Sequence, residues 1–362
     1  MSTRSVIPFG PQHPVLPEPI HLDLVLEDEK VVQAIPSIGF IHRGLEKLVD
    51  KKDFHEMVYV AERICGICSM GHGLGYCDAV EHIMDLEIPD RAKFLRTMLS
   101  ELSRIHSHML WLGLLADAFG FESLYMECWR IREEVLDMFE IATGGRVIFS
   151  IMKIGGLRRD LPDDMLADFR QRLDKIEEQL KVVAKPFYDD VAVKNRLVGV
   201  GILTPEKADL LGTAGPFLRA SGIARDIRST EGYCAYDQIE FEPIISTGCD
   251  SYARTEVRIK EIFQAIDIVR QCIDKMPAGA VDVPVKPNQF PNGEYMTRIE
   301  QPRGEALYYV KANGSKFIDR MRVRTPTFAN IPALVEVMAG CDLADVPILV
   351  LTIDPCISCT ER

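Results

Sequence analysis

The sequence ends in the nine residues Asp354-Pro355-Cys356-Ile357-Ser358-Cys359-Thr360-Glu361-Arg362, and this stretch carries two cysteines in a C-x-x-C arrangement. Chain ends usually fray, and an exposed thiol pair at a mobile end would be open to oxidation. We therefore expect Cys356 and Cys359 to be held in place by a partner elsewhere in the chain.

A second pair with the same spacing, Cys65 and Cys68, lies far upstream. The two-residue spacer lets both sulfurs reach one metal ion, and thiolates are soft ligands suited to zinc, iron or nickel. A structural zinc site and a redox-active dithiol both remain open at this point. Zinc modules usually close within a few dozen residues, whereas Cys68 and Cys356 are 288 positions apart. The charged neighbours Arg63 and Asp354 also favour a chemically active site over an inert one.

Composition limits the class of protein. The net charge of −12 argues against nucleic-acid binding across the whole surface, so we expect no nucleic-acid partner. The sequence has no apolar run of about 18 residues and no secretory signal, so we expect no transmembrane helix and reduced thiols. The cysteines outside the two pairs are interpreted as small buried hydrophobic residues, namely Cys77, Cys128, Cys234, Cys249, Cys272 and Cys341.

Hydrophobic periodicity predicts an α+β fold, with a mainly α-helical core of long helices and small β elements in the N- and C-terminal regions. A β-hairpin is expected at 20–26 and 30–35. Asp53 and Glu56 have the spacing of a capping box, which marks the start of the helical part. Helices are expected at 71–84, from Asp90 onward, and at 123–141, 162–184, 205–211, 252–275 and 331–339, with strands at 305–311 and 347–353.

The same patterns suggest three regions within one integrated domain. Residues 1–50 form the N-terminal β-hairpin region, and residues 51–300 form the helical core that carries the first cysteine pair. Residues 301–362 are expected to form a C-terminal region, whose second cysteine pair would close a site with the first pair.

At the two cysteine motifs the chain resembles a known family. RICGIC at 63–68 and the last nine residues are similar to the two signature motifs of nickel–iron hydrogenase large subunits. GPQHP at 10–14 and IGFIHRGLEKL at 38–48 resemble the membrane-bound, energy-converting hydrogenases, which include carbon-monoxide-linked and ferredoxin-linked enzymes. These are relatives of the quinone-proximal large subunit of respiratory complex I. The resemblance covers essentially the whole chain.

Two features separate hydrogenases from complex I within this resemblance. The complex I relatives have lost the four metal-binding thiols, whereas this sequence keeps all four. They typically carry a His-Gly pair shortly after the GPQHP stretch, where this chain has Pro17-Glu18. The resemblance therefore does not imply a quinone site here.

The resemblance implies a nickel–iron centre held by the four cysteines. All four thiolates would bind nickel, with Cys65 and Cys356 as terminal ligands. Cys68 and Cys359 would bridge nickel to an iron that also carries one carbon monoxide and two cyanides. Glu18 resembles the family's proton-gate glutamate, a buried carboxylate with a raised pKa that relays protons to and from the terminal cysteine. On sequence alone, Glu18 would instead be a solvated loop residue between prolines.

Three further residues would surround the metal pair by the same resemblance. Arg303, in the stretch QPRG at 301–304, would stand above the open site and donate to one cyanide. Thr327, after Pro326, would donate to the other cyanide, and Asp354 would accompany Arg303. Without the resemblance, these would be a surface arginine, an ordinary loop residue and an Asp-Pro turn initiator.

Glu46 matches a position that helps to hold magnesium in many hydrogenases, together with a C-terminal histidine. Here the last residue is Arg362, and a guanidinium cannot ligate a metal. We expect Arg362 to replace the cation and pair with Glu46, without a dedicated magnesium site. His106 and His108 lie on different helix faces, so we expect one to face the core and one to be exposed.

The resulting hypothesis is the catalytic subunit of a [NiFe] hydrogenase, which oxidises H2 or reduces protons reversibly. The resemblance implies ferredoxin-type electron carriers, ion translocation, and a peripheral place on the cytoplasmic face of the cell membrane. The six other cysteines lack the spacing of a ligand set, so we expect no iron–sulfur cluster in this chain. The implied partners are a small subunit with a [4Fe–4S] cluster, a ferredoxin-like subunit, membrane ion-translocating subunits and maturation proteins. Two alternatives stay open: a non-catalytic complex I-like electron-transfer or quinone-docking subunit, and a zinc-stabilised structural subunit.

Overall fold

The computed structural model describes residues 4–16 and 18–362, so Pro17 lies outside the described residues. The fold is α+β, as predicted. It begins with an antiparallel three-stranded sheet in the order β1–β2–β3. Leu22, Leu24 and Leu26 alternate along the middle strand and face the core, which is the pattern of a half-buried strand. The strands are β1 (Arg4–Phe9), β2 (His21–Glu27) and β3 (Lys30–Ser37).

The centre of the molecule is a layer of long helices that pack against one another. α3 contacts both α4 and α10, and α5 closes the layer against α4 and α10. Leu95, Leu102 and Met109 recur along α3 and are fully buried, as the predicted period requires. The helices up to this layer are α1 (Glu56–Glu62), α2 (Ser69–Ile83), α3 (Asp90–Ala118), α4 (Glu122–Thr143), α5 (Asp163–Asp189), α6 (Val191–Leu197), α7 (Pro205–Leu210), α8 (Pro216–Arg219), α9 (Ile227–Thr230) and α10 (Ser251–Asp274).

A second antiparallel sheet, in the order β6–β7–β8, packs against the helix that follows the first cysteine pair. The predicted strand 305–311 lies within its central strand, while the two flanking strands were not predicted. Short 3₁₀ turns cover Leu45–Asp50, Tyr236–Gln238 and Leu343–Asp345. The remaining strands are β4 (Met152–Lys153), β5 (Gly156–Leu157), β6 (Asn292–Gln301), β7 (Gly304–Asn313) and β8 (Ile318–Arg324).

The prediction of a strand at 347–353 is wrong. Residues Val346–Thr352 form a helix instead, and Pro347 lies in its first turn, where a missing N–H costs nothing. This segment is buried on all sides, so its sequence is apolar throughout and shows no period that could separate helix from strand. The last helices are α11 (Pro326–Met338), α12 (Val346–Thr352) and α13 (Ile357–Glu361).

Among the described residues, no helix combines the length and the apolar character that crossing a membrane would require.

Candidate metal centre

The four motif cysteines meet in the interior. Cys65 and Cys68 lie in the loop between α1 and α2, and Cys356 and Cys359 lie at the start of α13. Their sulfurs all lie within 4.8 Å of one another. Two close contacts join the two motifs, with Cys65 Sγ 3.3 Å from Cys356 Sγ and Cys68 Sγ 3.4 Å from Cys359 Sγ. Each cysteine is at most 3% exposed.

Four sulfurs so close together and so deeply buried suit a cation. Burial raises the pKa of the Cys359 thiol well above its usual value, and the neighbouring sulfurs raise it further. Four thiolates at this distance would repel one another because they carry the same charge. A bound metal ion removes the protons from the thiols and neutralises the resulting negative charge. A soft, all-sulfur donor set fits nickel, iron or zinc rather than magnesium or calcium. The residues present thus fit a metal centre.

Arg303 and Asp354 form a buried ion pair beside the sulfurs. Arg303 Nη2 lies 2.7 Å from Asp354 Oδ1, and its Nε donates to the Asp354 carbonyl at 2.9 Å. Its Nη1 donates to Ser107 Oγ at 3.2 Å. Burial alone would lower the pKa of Arg303, but Asp354 and the sulfurs hold that pKa above its usual value. Asp354 Oδ2 has no hydrogen-bond partner among the described residues, which leaves one buried acceptor in this pair.

The turn that presents Arg303 is fixed from the helical layer. Arg104 on α3 donates to the carbonyl oxygens of Glu300 at 3.1 Å and Gln301 at 3.4 Å. Arg104 is itself paired with Glu101 on the same helix, and both are fully buried. A buried charged pair thus holds the end of β6, directly before the turn that carries Arg303.

Thr327 contacts the second cysteine loop directly. Its Oγ1 accepts a hydrogen bond from the Cys356 N–H at 3.2 Å, and the residue is 1% exposed. Pro326 occupies the first turn of α11, where proline favours helix initiation, and so aims Thr327 at this loop.

Glu18 lies against the start of α13. It accepts hydrogen bonds from the Ile357 N–H, from the Ser358 N–H at 2.9 Å and from Ser358 Oγ at 2.7 Å. Ser358 Oγ lies 3.3 Å from Cys356 Sγ. Glu18 is half-buried. A continuous chain of polar contacts therefore joins a carboxylate to one of the four sulfurs.

We use the term tail for residues 354–362, and the segment at 41–46 holds it in place. Arg43 Nη2 donates to the Ile64 carbonyl at 2.9 Å and to the Ser358 carbonyl at 2.8 Å, which joins the two cysteine loops. The Ile41 N–H donates to Glu361 Oε2, and Thr325 Oγ1 donates to the Cys359 carbonyl at 3.1 Å. The tail is thus fixed along its whole length.

The last residue of the tail forms an ion pair with Glu46. Arg362 Nε lies 2.9 Å from Glu46 Oε1, which also accepts from the Val323 N–H at 2.9 Å. Arg322 lies 2.7 Å from Glu46 Oε2, so both carboxylate oxygens accept from protein donors. Burial would raise the pKa of Glu46, but these donors lower it below its usual value.

The expectation that one of His106 and His108 is exposed is wrong, because both are buried. α3 lies in the centre of the helical layer and is enclosed on all faces. His106 Nε2 lies 2.9 Å from the Ile67 carbonyl in the first cysteine loop, and His108 Nε2 lies 2.9 Å from Glu261 Oε2.

Sequence reasoning missed His72 as a residue of the site. Its Nε2 lies 3.3 Å from Cys359 Sγ, and burial lowers the pKa of its imidazole to about 4. The available signal was its place one helical turn after Cys68, on the same face of α2. Of the six other cysteines, three are buried as expected, while Cys234, Cys249 and Cys341 are partly exposed.

Two family profiles match the chain. A family profile described as "Respiratory-chain NADH dehydrogenase, 49 Kd subunit" matches residues 118–289 and 283–362. A profile described as "Nickel-dependent hydrogenase" matches residues 43–117, which include the first cysteine pair.

Three relatives illustrate the breadth of the family. The chain is 38% identical to the carbon monoxide-induced hydrogenase of Rhodospirillum rubrum, with 100% of both chains covered. It is 34% identical to the alpha subunit of the membrane-bound hydrogenase of Pyrococcus furiosus, over 98% of this chain and 87% of that one. It is 36% identical to an NADH-quinone oxidoreductase subunit of Thermodesulfovibrio yellowstonii, over 97% of this chain and 95% of that one. The resemblance found in the motifs is confirmed: the chain belongs to the family of large subunits shared by membrane-bound, energy-converting nickel–iron hydrogenases and respiratory complex I.

Proposed function

We propose that this chain is the catalytic subunit of a [NiFe] hydrogenase that interconverts H2 with protons and electrons. The observation that carries the proposal is the cluster of four buried cysteine sulfurs within 4.8 Å of one another, contributed by both motifs. A complex I-like subunit without a metal centre would have no need to keep four thiols together in the interior, where unpaired thiolates are costly.

Cys65, Cys68, Cys356 and Cys359 would hold a nickel–iron centre, with Cys68 and Cys359 shared between the two ions. When bound, that centre supplies the redox chemistry that splits H2 into two protons and two electrons. The protein holds the four sulfurs in a dry, closed site, so the surrounding dipoles act at low dielectric.

Arg303 and Thr327 would bind the diatomic ligands of the iron, which are one carbon monoxide and two cyanides. Asp354 accepts from two nitrogens of Arg303, one through its carboxylate and one through its carbonyl oxygen, and this fixes the plane of the guanidinium. Thr327 Oγ1 accepts from a backbone N–H, so its own proton is free to be donated to a cyanide. Both residues thereby act as hydrogen-bond donors held in place before a ligand arrives.

Glu18 would move protons between the site and the outside. A proton on Cys356 Sγ can pass to Ser358 Oγ and then to Glu18 Oε1, since each step spans one hydrogen-bond contact, of 3.3 Å and 2.7 Å. Being half-buried, Glu18 can exchange that proton with water.

The electrons would leave through partner subunits. Among residues 4–16 and 18–362, no second group of three or more cysteine, histidine or acidic residues is close enough to hold a metal. We therefore propose a small subunit with a [4Fe–4S] cluster, a ferredoxin-like subunit, ion-translocating membrane subunits and maturation proteins, and a peripheral position on the cytoplasmic face of the membrane. The names of two relatives, a carbon monoxide-induced hydrogenase and a membrane-bound hydrogenase subunit, support this assignment.

The competing function is that of a complex I-like electron-transfer subunit, which the similarity to an NADH-quinone oxidoreductase subunit supports. Infrared spectroscopy and elemental analysis of the anaerobically purified, matured complex separate the candidates. Nickel with iron and bands of metal-bound carbon monoxide and cyanide support the hydrogenase. Zinc alone, or no metal and no such bands, would refute it.

A pair of alanine variants provides the matched test of the site. Cys359→Ala should abolish nickel binding and H2 turnover. Cys272→Ala, which also truncates a fully buried cysteine but lies on α10 away from the cluster, should retain both. Equal nickel content in the two variants would contradict the proposed site.

A further inference from the structure

A buried tyrosine on the second sheet contacts the histidine that touches the metal cluster. Tyr308 OH is hydrogen-bonded to His72 Nδ1, and His72 Nε2 lies 3.3 Å from Cys359 Sγ. All three residues are at most 1% exposed. The contacts form a chain of three groups in which the phenol never touches the sulfur itself.

The chemistry of the sulfur sets the direction of these hydrogen bonds. A metal-bound thiolate carries no proton, so it can only accept, and Nε2 must be the nitrogen that donates. A neutral imidazole carries one N–H, which leaves a lone pair on Nδ1. Tyr308 OH is then the donor that satisfies Nδ1. Because the hydrogen bond at one ring nitrogen selects the tautomer, the phenol decides whether the other nitrogen presents its proton to the sulfur.

The position of the tyrosine ring is itself built into the fold. His72 and Gly75 lie one turn apart on α2, on the face that packs against β6 and β7. A Cβ atom at Gly75 would come within 2.6 Å of Tyr308 Cδ2 and 3.3 Å of Ile299 Cδ1. Because Gly75 has no side chain, the ring of Tyr308 has the space that it needs to reach His72.

We propose that Tyr308 is a positioning residue that holds His72 with its Nε2–H directed at Cys359, and thereby tunes the electron density of the metal centre. The inference rests on the proposed hydrogenase function, because it assigns Cys359 as a metal-bound thiolate. A hydrogen bond to a ligating sulfur withdraws electron density from the metals, and removal of partners of this kind typically changes activity about 10- to 100-fold.

The test is infrared spectroscopy of the matured complex carrying Tyr308→Phe, which removes one oxygen atom. Without the phenol, the lost donation to the sulfur should leave more electron density on the iron. The carbon monoxide and cyanide bands should move to lower wavenumber, and H2 turnover should fall about 10-fold or more. Tyr309→Phe is the matched control, since Tyr309 is the next residue of β7, and its hydroxyl is exposed and bound to Glu294. That variant should leave the bands unchanged.

A double variant shows whether the tyrosine acts through the histidine. If it does, Tyr308→Phe should shift the bands no further in a His72→Gln background, because interacting residues give non-additive effects. Equal shifts in the presence and absence of His72 would overturn the inference, as would wild-type bands in Tyr308→Phe.

The design separates failure of this inference from failure of the proposed function. Absence of the bands in the wild-type complex would refute the hydrogenase assignment itself. Should Tyr308→Phe fail to incorporate nickel, Gly75→Ala keeps the hydroxyl and displaces the ring, so its bands should shift in the same direction. Unshifted bands in Gly75→Ala would then overturn the inference.

Discussion

Arg43 joins the loop before Cys65 to the tail, and its removal should loosen the tail. Its guanidinium donates to the carbonyl oxygens of Arg63 at 3.2 Å, Ile64 at 2.9 Å and Ser358 at 2.8 Å. Only the last of these bonds holds the tail, while the first two hold the loop before Cys65. Arg43→Met removes all three, whereas Arg43→Lys keeps the charge but replaces the planar fork of donors by a single ammonium.

The expected effect on tail opening follows from the loss of one hydrogen bond to the tail. A hydrogen bond to a charged group contributes about 1.5–3 kcal/mol, and the exposure of Arg43 reduces the contribution of its bond to Ser358 to about 1–1.4 kcal/mol. Opening of the tail should therefore become about 5- to 10-fold more frequent in Arg43→Met. The tail should not be released, because Glu18, Thr325 and Thr327 still bind it.

Hydrogen–deuterium exchange read by mass spectrometry measures this opening in the peptide that covers residues 354–362. Exchange there should rise about 5- to 10-fold in Arg43→Met and less in Arg43→Lys, with nickel lost faster to a chelator. Arg130→Met is the control, since Arg130 is an exposed arginine paired with Glu127 within α4. Unchanged exchange of the tail in Arg43→Met would refute the reasoning.

Three further predictions concern carboxylates. Glu18→Gln should lower the rate of H2/D⁺ exchange about 100-fold or more with unchanged infrared bands, because an amide cannot relay a proton; wild-type exchange would exclude Glu18. Glu46→Gln should destabilise the fold by about 1 kcal/mol in chemical denaturation, since it weakens the partly buried pair with Arg362; a more stable variant would contradict this. Burial raises the pKa of Glu62 to about 7. The folded chain then keeps a proton that the unfolded chain has lost, so stability should fall by about 3 kcal/mol between about pH 4.5 and about pH 7. Glu62→Gln should abolish that fall in denaturation measured across this range, and an unchanged pH dependence would refute the assignment.

Much of the fold could be predicted because its signals are local. Asp53 and Glu56 form the expected capping box, with Asp53 Oδ1 accepting from the Glu56 N–H at 2.9 Å. The long helices follow from their apolar period, and the bounds of α4 and α10 agree with the prediction to within two residues. The N-terminal hairpin could be predicted from the alternation of apolar and polar residues and from the charged turn at Asp28, which adopts a positive φ.

The parts that could not be predicted depend on distant contacts. α12 is enclosed by α3, α10 and α11, and that enclosure removes the alternation of polar and apolar residues that would have identified it. His72 meets Tyr308 across 236 positions of sequence, and nothing in the neighbourhood of either residue indicates the other. The cysteine site could be predicted because its two motifs resemble those of nickel–iron hydrogenases. The contacts of Arg43 and Ser107 with the site become visible only in the three-dimensional structure.

The tail illustrates how metal binding and folding are linked in this molecule. The tail is held by residues far apart in the sequence, among them Glu18 and Arg43 near the N-terminus and Arg303 and Thr325 in the last quarter of the chain, so both parts must be folded before the tail has a surface to dock on. Such long-range contacts form only after the entropy of closing a very long loop has been lost. A metal that binds sulfurs of both motifs adds its binding free energy to this closure. The Arg43 bond is therefore a larger share of what keeps the tail closed in the metal-free chain than in the loaded one. Arg43→Met should accordingly raise exchange of the tail by a larger absolute amount before metal incorporation than after it.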